Sequence, residues 1–367
     1  MNTMISRMAR WAVFLLFFGT TVELASRIEQ WVVYGAPILG VYTYDSALFT
    51  TDEFGIRGKS NGSYEKWHLN AYGFRGPEVL LAKDSRRLRV VCIGASETFG
   101  LYESADKEWP RQLESLLTKA GMEAEVINAA MAGMSLPQRT RHLENRLLRF
   151  SPDVVVFMLE YGSYAGLTPE KIRLFRAGPG TLPARKGLVD GLKSLRTVSR
   201  LKDVVVPKLP GQVQEAIGNM ERRLKLEIRQ HELGPRYRSL VHVQPFEVEA
   251  FRLDLEELYE RANAAGVHMV FVSPAMWFTE RNIATTYLSW PFVDESWWRE
   301  AKATLPVVAH QFADAHQVPF LDLSDVVAGH EADWMKDMLH FNDLGAERVA
   351  QHVAPLIRNG HDSSAQR

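Results

Sequence analysis

Two short motifs, far apart in the chain, carry the residue types that make a hydroxyl nucleophilic. Gly94-Ala95-Ser96-Glu97-Thr98-Phe99-Gly100 closes an apolar run, and Asp337-Met338-Leu339-His340 lies near the C-terminus. Together they supply a serine, a histidine and a carboxylate. A serine hydroxyl is a poor nucleophile at neutral pH. It needs a base within hydrogen-bond reach, and the base needs a partner that fixes its tautomer. In this reading Ser96 attacks, His340 takes its proton, and Asp337 orients the imidazole. The three-residue spacing lets Asp337 and His340 project to one side of a turn. Gly94 and Gly100 allow a tight backbone from which Ser96 can stand clear of a sheet edge. Backbone N–H groups of the same turn can face a developing oxyanion.

The elements that position these residues follow from the hydrophobic pattern. Residues 88 to 94 read as a buried strand, nearly continuous and β-branched. A helix over 109–120 and a strand over 123–128 follow, then a helix over 137–150 and an apolar strand over 153–159. From 164 to 245 the rhythm breaks. It resumes with a helix over 246–265, a strand over 267–273, a helix over 296–316, a short strand over 318–322 and a last helix over 344–358. Asn342 or Asp343 caps that last helix. Alternating strands and helices imply a parallel sheet covered on both faces. In such sheets functional groups collect at the carboxyl ends of the strands. Ser96, then Asn128 and Gly133, then Tyr161 to Tyr164, and finally Ser273 all fall at those ends.

Composition narrows the class. The 367 residues suffice for a large core, and a net charge of -1 gives no electrostatic case for nucleic acid. The single cysteine, Cys92, cannot form an internal disulfide and reads as a core residue. Eleven scattered histidines make no metal site, and neither metal nor cofactor is expected. Gly94 to Gly100 lacks the spacing of a dinucleotide or phosphate loop.

The N-terminus has Arg7 and Arg10 ahead of a twelve-residue apolar run, residues 11 to 22. Residues 1–28 are expected to form an uncleaved signal-anchor, with a cleaved signal peptide or a buried amphipathic helix as alternatives. The basic flank predicts a single-pass inner-membrane protein with its body in the periplasm. Residues 29–84 read as a linker with short strands, 85–360 as the catalytic domain with an insertion at about 165–245, and 361–367 as a flexible tail. Residues 171 to 208 hold ten Lys or Arg against Asp190 and Asp203. Leu188, Leu192, Leu195, Val198, Leu201 and Val205 recur there near helical spacing. That pattern is a basic amphipathic helix, either resting on an anionic membrane or polysaccharide, or capping the site with solvated charges.

Gly-x-Ser after the first strand and Asp-x-x-His before the last helix resemble the SGNH/GDSL hydrolase family. The residues 69–76, Leu-Asn-Ala-Tyr-Gly-Phe-Arg-Gly, are similar to a lead-in of membrane-anchored bacterial members. Residues 127–133 resemble the family's second block, and His340-Phe-Asn-Asp-Leu-Gly345 its last. The resemblance implies a flavodoxin-like three-layer sandwich around a parallel sheet of about five strands, with an anchor helix and a helical insertion added. It implies an oxyanion hole from the backbone of Ser96 and Gly133. The family's third-block asparagine is absent, and Gly162 stands in its place. Loss of one such donor commonly lowers the rate about a hundredfold or more. Glu97, Asn128, Glu160, Tyr161, Ser163, Tyr164 and Ser273 are further candidates for substrate contact, and Tyr161, Ser163 or Tyr164 could replace the missing donor.

The expected activity is a serine esterase or deacylase acting through an acyl-enzyme on O-acyl esters, O-acetyl above all, of envelope or exported carbohydrate. Acyl transfer to a sugar by the same residues, a degenerate glycan-binding or scaffold protein, and a fatty-acyl substrate are the alternatives. Trp277, Phe278, Trp290, Trp297 and Trp298 could stack on sugars or pack the core. The partners expected are therefore an acylated carbohydrate or lipid and the membrane. The sequence leaves the oligomeric state open.

Overall fold

The computed structural model describes residues 2–167, 195–200 and 205–365. Its centre is one five-stranded parallel sheet. Four short strands precede it: β1 (Phe49–Asp52) pairs with β2 (Gly55–Gly58), and β3 (Ser63–Tyr64) with β4 (Trp67–His68). The sheet itself is built from β5 (Leu88–Ile93), β6 (Ala124–Asn128), β7 (Val154–Met158), β8 (His268–Ser273) and β9 (Phe320–Asp322), in the order β6-β5-β7-β8-β9. All four pairings are parallel, with Val90 opposite Val126 and Val154, and Val156 opposite Val270. This is the flavodoxin-like order the sequence led us to expect. The central strands β5 and β7 are buried along their whole length, which accounts for their unbroken apolar runs.

Successive side chains of a strand face opposite layers. Val91 and Ile93 enter one core with Phe157, Phe271 and Trp297. Val90 and Cys92 enter the other with Val156, Trp109 and Val353. Cys92 is fully buried. Helices cover both faces. The helix Trp109–Lys119 packs with the C-terminal helix Asp343–Ala365 on one, and Pro245–Ala264 with Glu295–Ala315 on the other.

Several boundaries differ from the sequence reading. The N-terminal helix runs from Asn2 to Tyr34, well past residue 28, and Arg10–Tyr34 is long and apolar enough to cross a membrane. At 1.5 Å per residue its 25 residues reach about 37 Å. The expected linker is therefore partly helix. Glu23 accepts from the backbone N–H groups of Arg196 and Thr197, and Arg200 pairs with Glu29. The helix Arg196–Arg200 thus packs against the second half of the N-terminal helix. Most of the expected basic amphipathic helix, including Leu188, Leu192 and Leu201, lies outside the described residues. An exposed helix, Gly211–Leu233, lies within the expected helical insertion; it buries no residue, so no core-facing stripe marked its bounds. The helix expected over 137–150 is Leu136–His142, followed by a π turn to Leu147 and a 3-10 turn to Phe150. The last helix, expected to end at 358, runs from Asp343 to Ala365.

Candidate active site

Ser96 opens a one-turn helix, Ser96–Phe99, directly after β5. Gly100 ends that turn at φ +88, a left-handed conformation that glycine adopts without strain. A Cβ there would also press on Arg75, 2.4 Å from its guanidinium. Arg75 is buried and donates to the carbonyls of Phe99 (2.6 Å) and Gly100 (2.5 Å). Trp67 Nε1 donates to Gly100 as well, and Asn128 Nδ2 to the carbonyl of Thr98. The C-terminal end of the nucleophile's turn is therefore held by side chains from the lead-in and from β6.

His340 lies 244 residues away in sequence, and its Nε2 is 2.8 Å from Ser96 Oγ. Its Nδ1 is 2.8 and 2.9 Å from the two oxygens of Asp337. Asp337 Oδ1 also accepts from the N–H of Leu339 and of His340. The turn is fixed from outside: Trp277 N–H donates to the Met338 carbonyl, and Lys336 N–H to that of His340. Asn342, rather than Asp343, caps the following helix, accepting from Gly345 N–H.

Electrostatics match this order. Burial disfavours the imidazolium of His340. The hydrogen bond and charge of Asp337, with Glu97 and Glu103, outweigh it, and the His340 pKa lies above its ordinary value. For Asp337 burial acts upward, but the His340 hydrogen bond and charge and the two backbone donors bring its pKa below the usual carboxylate range. A histidine paired this way gains basicity, and the carboxylate stays ionised. The Tyr102 ring meets His340 edge-on at 5.4 Å. Burial and the neighbouring Asp337 push its phenol up to about 12.

A cavity of about 200 Å³ opens beside Ser96, lined among others by Gly133, Met134, Leu159, Met276, Trp290 and Trp298. Among the described residues, no group accepts from the N–H of Ser96 or of Gly133. Two free backbone donors thus stand at the cavity next to the nucleophile.

The other candidate residues divide. Glu97, Glu160, Tyr161, Gly162 and Ser163 line the cavity. Glu97 Oε1 accepts from Ala95 N–H at 2.8 Å and lies 3.6 Å from the buried Arg139. Glu160 accepts from Ser163 N–H, and burial, only partly offset by Arg139, raises its pKa. Asn128, Tyr164 and Ser273 do not line the cavity. Asn128 braces the nucleophile's turn. Tyr164 donates to Asp254 at 2.7 Å, and the Ser273 hydroxyl is 2.7 Å from that of Tyr161. Tyr161 and Tyr164 therefore have their hydroxyls engaged in the core. Of the five aromatic candidates, Trp290 and Trp298 reach the cavity, while Trp297 is buried and donates to Glu247.

At Gly162 the indoles explain the residue. A Cβ would sit 3.0 Å from Trp298 and 3.2 Å from Trp290. Two aromatic rings occupy the space where a longer side chain would extend. Arg75, Arg139 and Tyr102 were missed from the sequence. The Arg in residues 69–76 was a signal for the first; nothing local marked the other two.

No family model matches the chain, and no curated protein does. Its backbone is similar to those of several solved structures. A lipase/acylhydrolase from Enterococcus faecalis aligns with a TM-score of 0.42 at 16% identity, over 74% of this chain and 95% of that one. A GDSL-like lipase from Bacteroides thetaiotaomicron gives 0.38 and 13%, over 76% and 89%. An acetylxylan esterase from Geobacillus stearothermophilus, solved as a catalytic mutant, gives 0.40 and 12%, over 73% and 93%. The chemical argument rests on the site's own geometry.

Proposed function

We propose that this protein is a serine esterase or deacylase that works through an acyl-enzyme. The observation that carries the reading is the continuous hydrogen-bonded path from Asp337 through His340 to Ser96, ending at a cavity beside two free N–H donors.

Ser96 Oγ attacks the ester carbonyl while His340 Nε2 takes its proton. The carbonyl π electrons move to oxygen, and the N–H groups of Ser96 and Gly133 stabilise the negative charge. Collapse breaks the bond to the alcohol, which leaves with the proton from His340. Water, deprotonated by His340, then attacks the acyl-Ser96 ester. A second collapse releases the acid and restores the Ser96 hydroxyl. Asp337 remains ionised throughout and steadies the imidazolium. Without a third-block asparagine no side-chain amide serves the oxyanion, which is left to backbone donors, Gly162 N–H among them, so the expected turnover is modest.

The substrate is an O-acyl ester of envelope or exported carbohydrate, with the N-terminal helix as inner-membrane anchor and the body in the periplasm. The basic flank of the apolar helix supports this placement. The test is acid release from O-acylated oligosaccharides by the full chain in lipid nanodiscs, beside Ser96→Ala. Release that needs Ser96 supports the reading. Oligosaccharide that binds unchanged would replace it with a binding role. Protease digestion of intact spheroplasts should reach the body if the topology is right.

A further inference from the structure

The cavity beside Ser96 has its own chemical character. Ala95, Met134, Leu159, Met276, Trp290, Trp298 and Leu339 give it an apolar wall. Two carboxylates, Glu97 and Glu160, line it as well. Glu97 is engaged by Ala95 N–H and faces Arg139. Glu160 bonds Ser163 N–H through Oε2, and its Oε1 is sealed from solvent. Glu97 is held through Oε1 and Glu160 through Oε2, which leaves at most one oxygen of each for a ligand hydroxyl. A sugar ring buried here would leave most of its hydroxyls unpaired, a heavy penalty in an apolar site.

Size points the same way. An acetyl group would leave most of the ~200 Å³ unfilled. An apolar cavity of about 150 Å³ holds benzene, so this one takes roughly six to eight carbons. The nucleophile and Gly133 both line it, so an acyl carbonyl held by them would have its tail in the cavity.

We propose that this cavity is an acyl pocket, and that the acyl group removed is a chain of about six to eight carbons rather than acetyl. The assignment rests on the esterase reading above and specifies its substrate. The alcohol side of the ester, sugar or otherwise, stays outside the cavity.

The test is a chain-length series of 4-nitrophenyl esters, acetate to dodecanoate, with the full chain in nanodiscs and each free ester concentration measured. Burial of each added methylene should raise kcat/KM about fourfold. The expected profile climbs from acetate to a maximum between hexanoate and octanoate, then falls. Met276→Phe should move the maximum to shorter chains and Trp290→Ala to longer ones. A maximum at acetate with a fall by butanoate would overturn the acyl-pocket assignment while leaving the esterase reading intact. An unshifted profile in both folded variants would also overturn it. Hydrolysis of no ester at any length, with no phosphonate labelling of Ser96, would remove the esterase reading and this assignment together.

Discussion

The Arg75 guanidinium lies within 2.6 Å of the Phe99 carbonyl, at the far end of the turn that Ser96 begins. Its other nitrogen is 3.1 Å from Glu108, and both side chains are buried. A residue from the lead-in thus sets the tilt of the nucleophile's turn. Removing it leaves Glu108 buried without its cation and the Phe99 carbonyl without this donor, while the Gly100 carbonyl keeps only Trp67 Nε1. Arg75→Ala is expected to lower stability by about 3–5 kcal/mol and phosphonate labelling of Ser96 by tenfold or more. Arg75→Lys restores the charge but not the paired donation, and should recover part of each. Urea denaturation and labelling rates measure the two effects.

The pH profile follows from the raised His340 pKa. The base works only as neutral imidazole. A raised pKa keeps it protonated to higher pH, so the rising limb of kcat/KM should have its midpoint above the ordinary value of about 6.5. Asp337→Asn removes the charge that raises it. The limb should then move to lower pH and the plateau fall about a thousandfold or more. A profile unmoved by that substitution would separate Asp337 from the base.

Glu103 gives a stability test. It is 1% exposed, and burial raises its carboxyl pKa to about 7. The unfolded chain ionises near 4.5, so its favourable contribution is complete below that pH and is lost as pH rises through about 7. Glu103→Gln should therefore gain stability relative to the parent at pH 8.5, by up to about 3 kcal/mol, and gain nothing at pH 4. Urea unfolding at the two pH values decides it.

Restoring an asparagine at position 162 should not help. Its Cβ would crowd Trp298 and Trp290, and overpacking of this kind costs about 1–3 kcal/mol. Gly162→Asn is expected to lower the thermal midpoint without raising kcat/KM. A gain in activity at unchanged stability would mean that the indoles yield readily.

The legible part of this protein is the part fixed by short-range pattern. The runs at 88–94 and 153–159 announce buried parallel strands because both faces are covered. Ser96 and Asp337-x-x-His340 stand out because the topology brings strand ends and the last helix's start to one edge. The cavity wall was legible only in part: Met134, Leu159, Met276 and Leu339 carry no local mark. Trp290 follows the helix Glu280–Ser289, while Trp298 lies within Glu295–Ala315, and their packing on Gly162 sets them apart from the other aromatic candidates. Arg139 falls in the helix expected over 137–150 with nothing to mark it, yet it is fully buried and donates to the Met134 carbonyl. Tyr164 and Ser273 were well placed along the chain, but their hydroxyls bond to neighbours. Strand position selects an edge of the sheet and does not say which side chains there remain free.

The most direct test of the account is intact-protein mass spectrometry of the full chain after treatment with a fluorophosphonate. An activated Ser96 should gain one phosphonyl mass, mapped by peptide analysis to residues 94–100, and the gain should vanish in Ser96→Ala and in His340→Ala. A folded chain that gains no mass, or gains it equally in both variants, would contradict the claim that Ser96, His340 and Asp337 act as one catalytic unit.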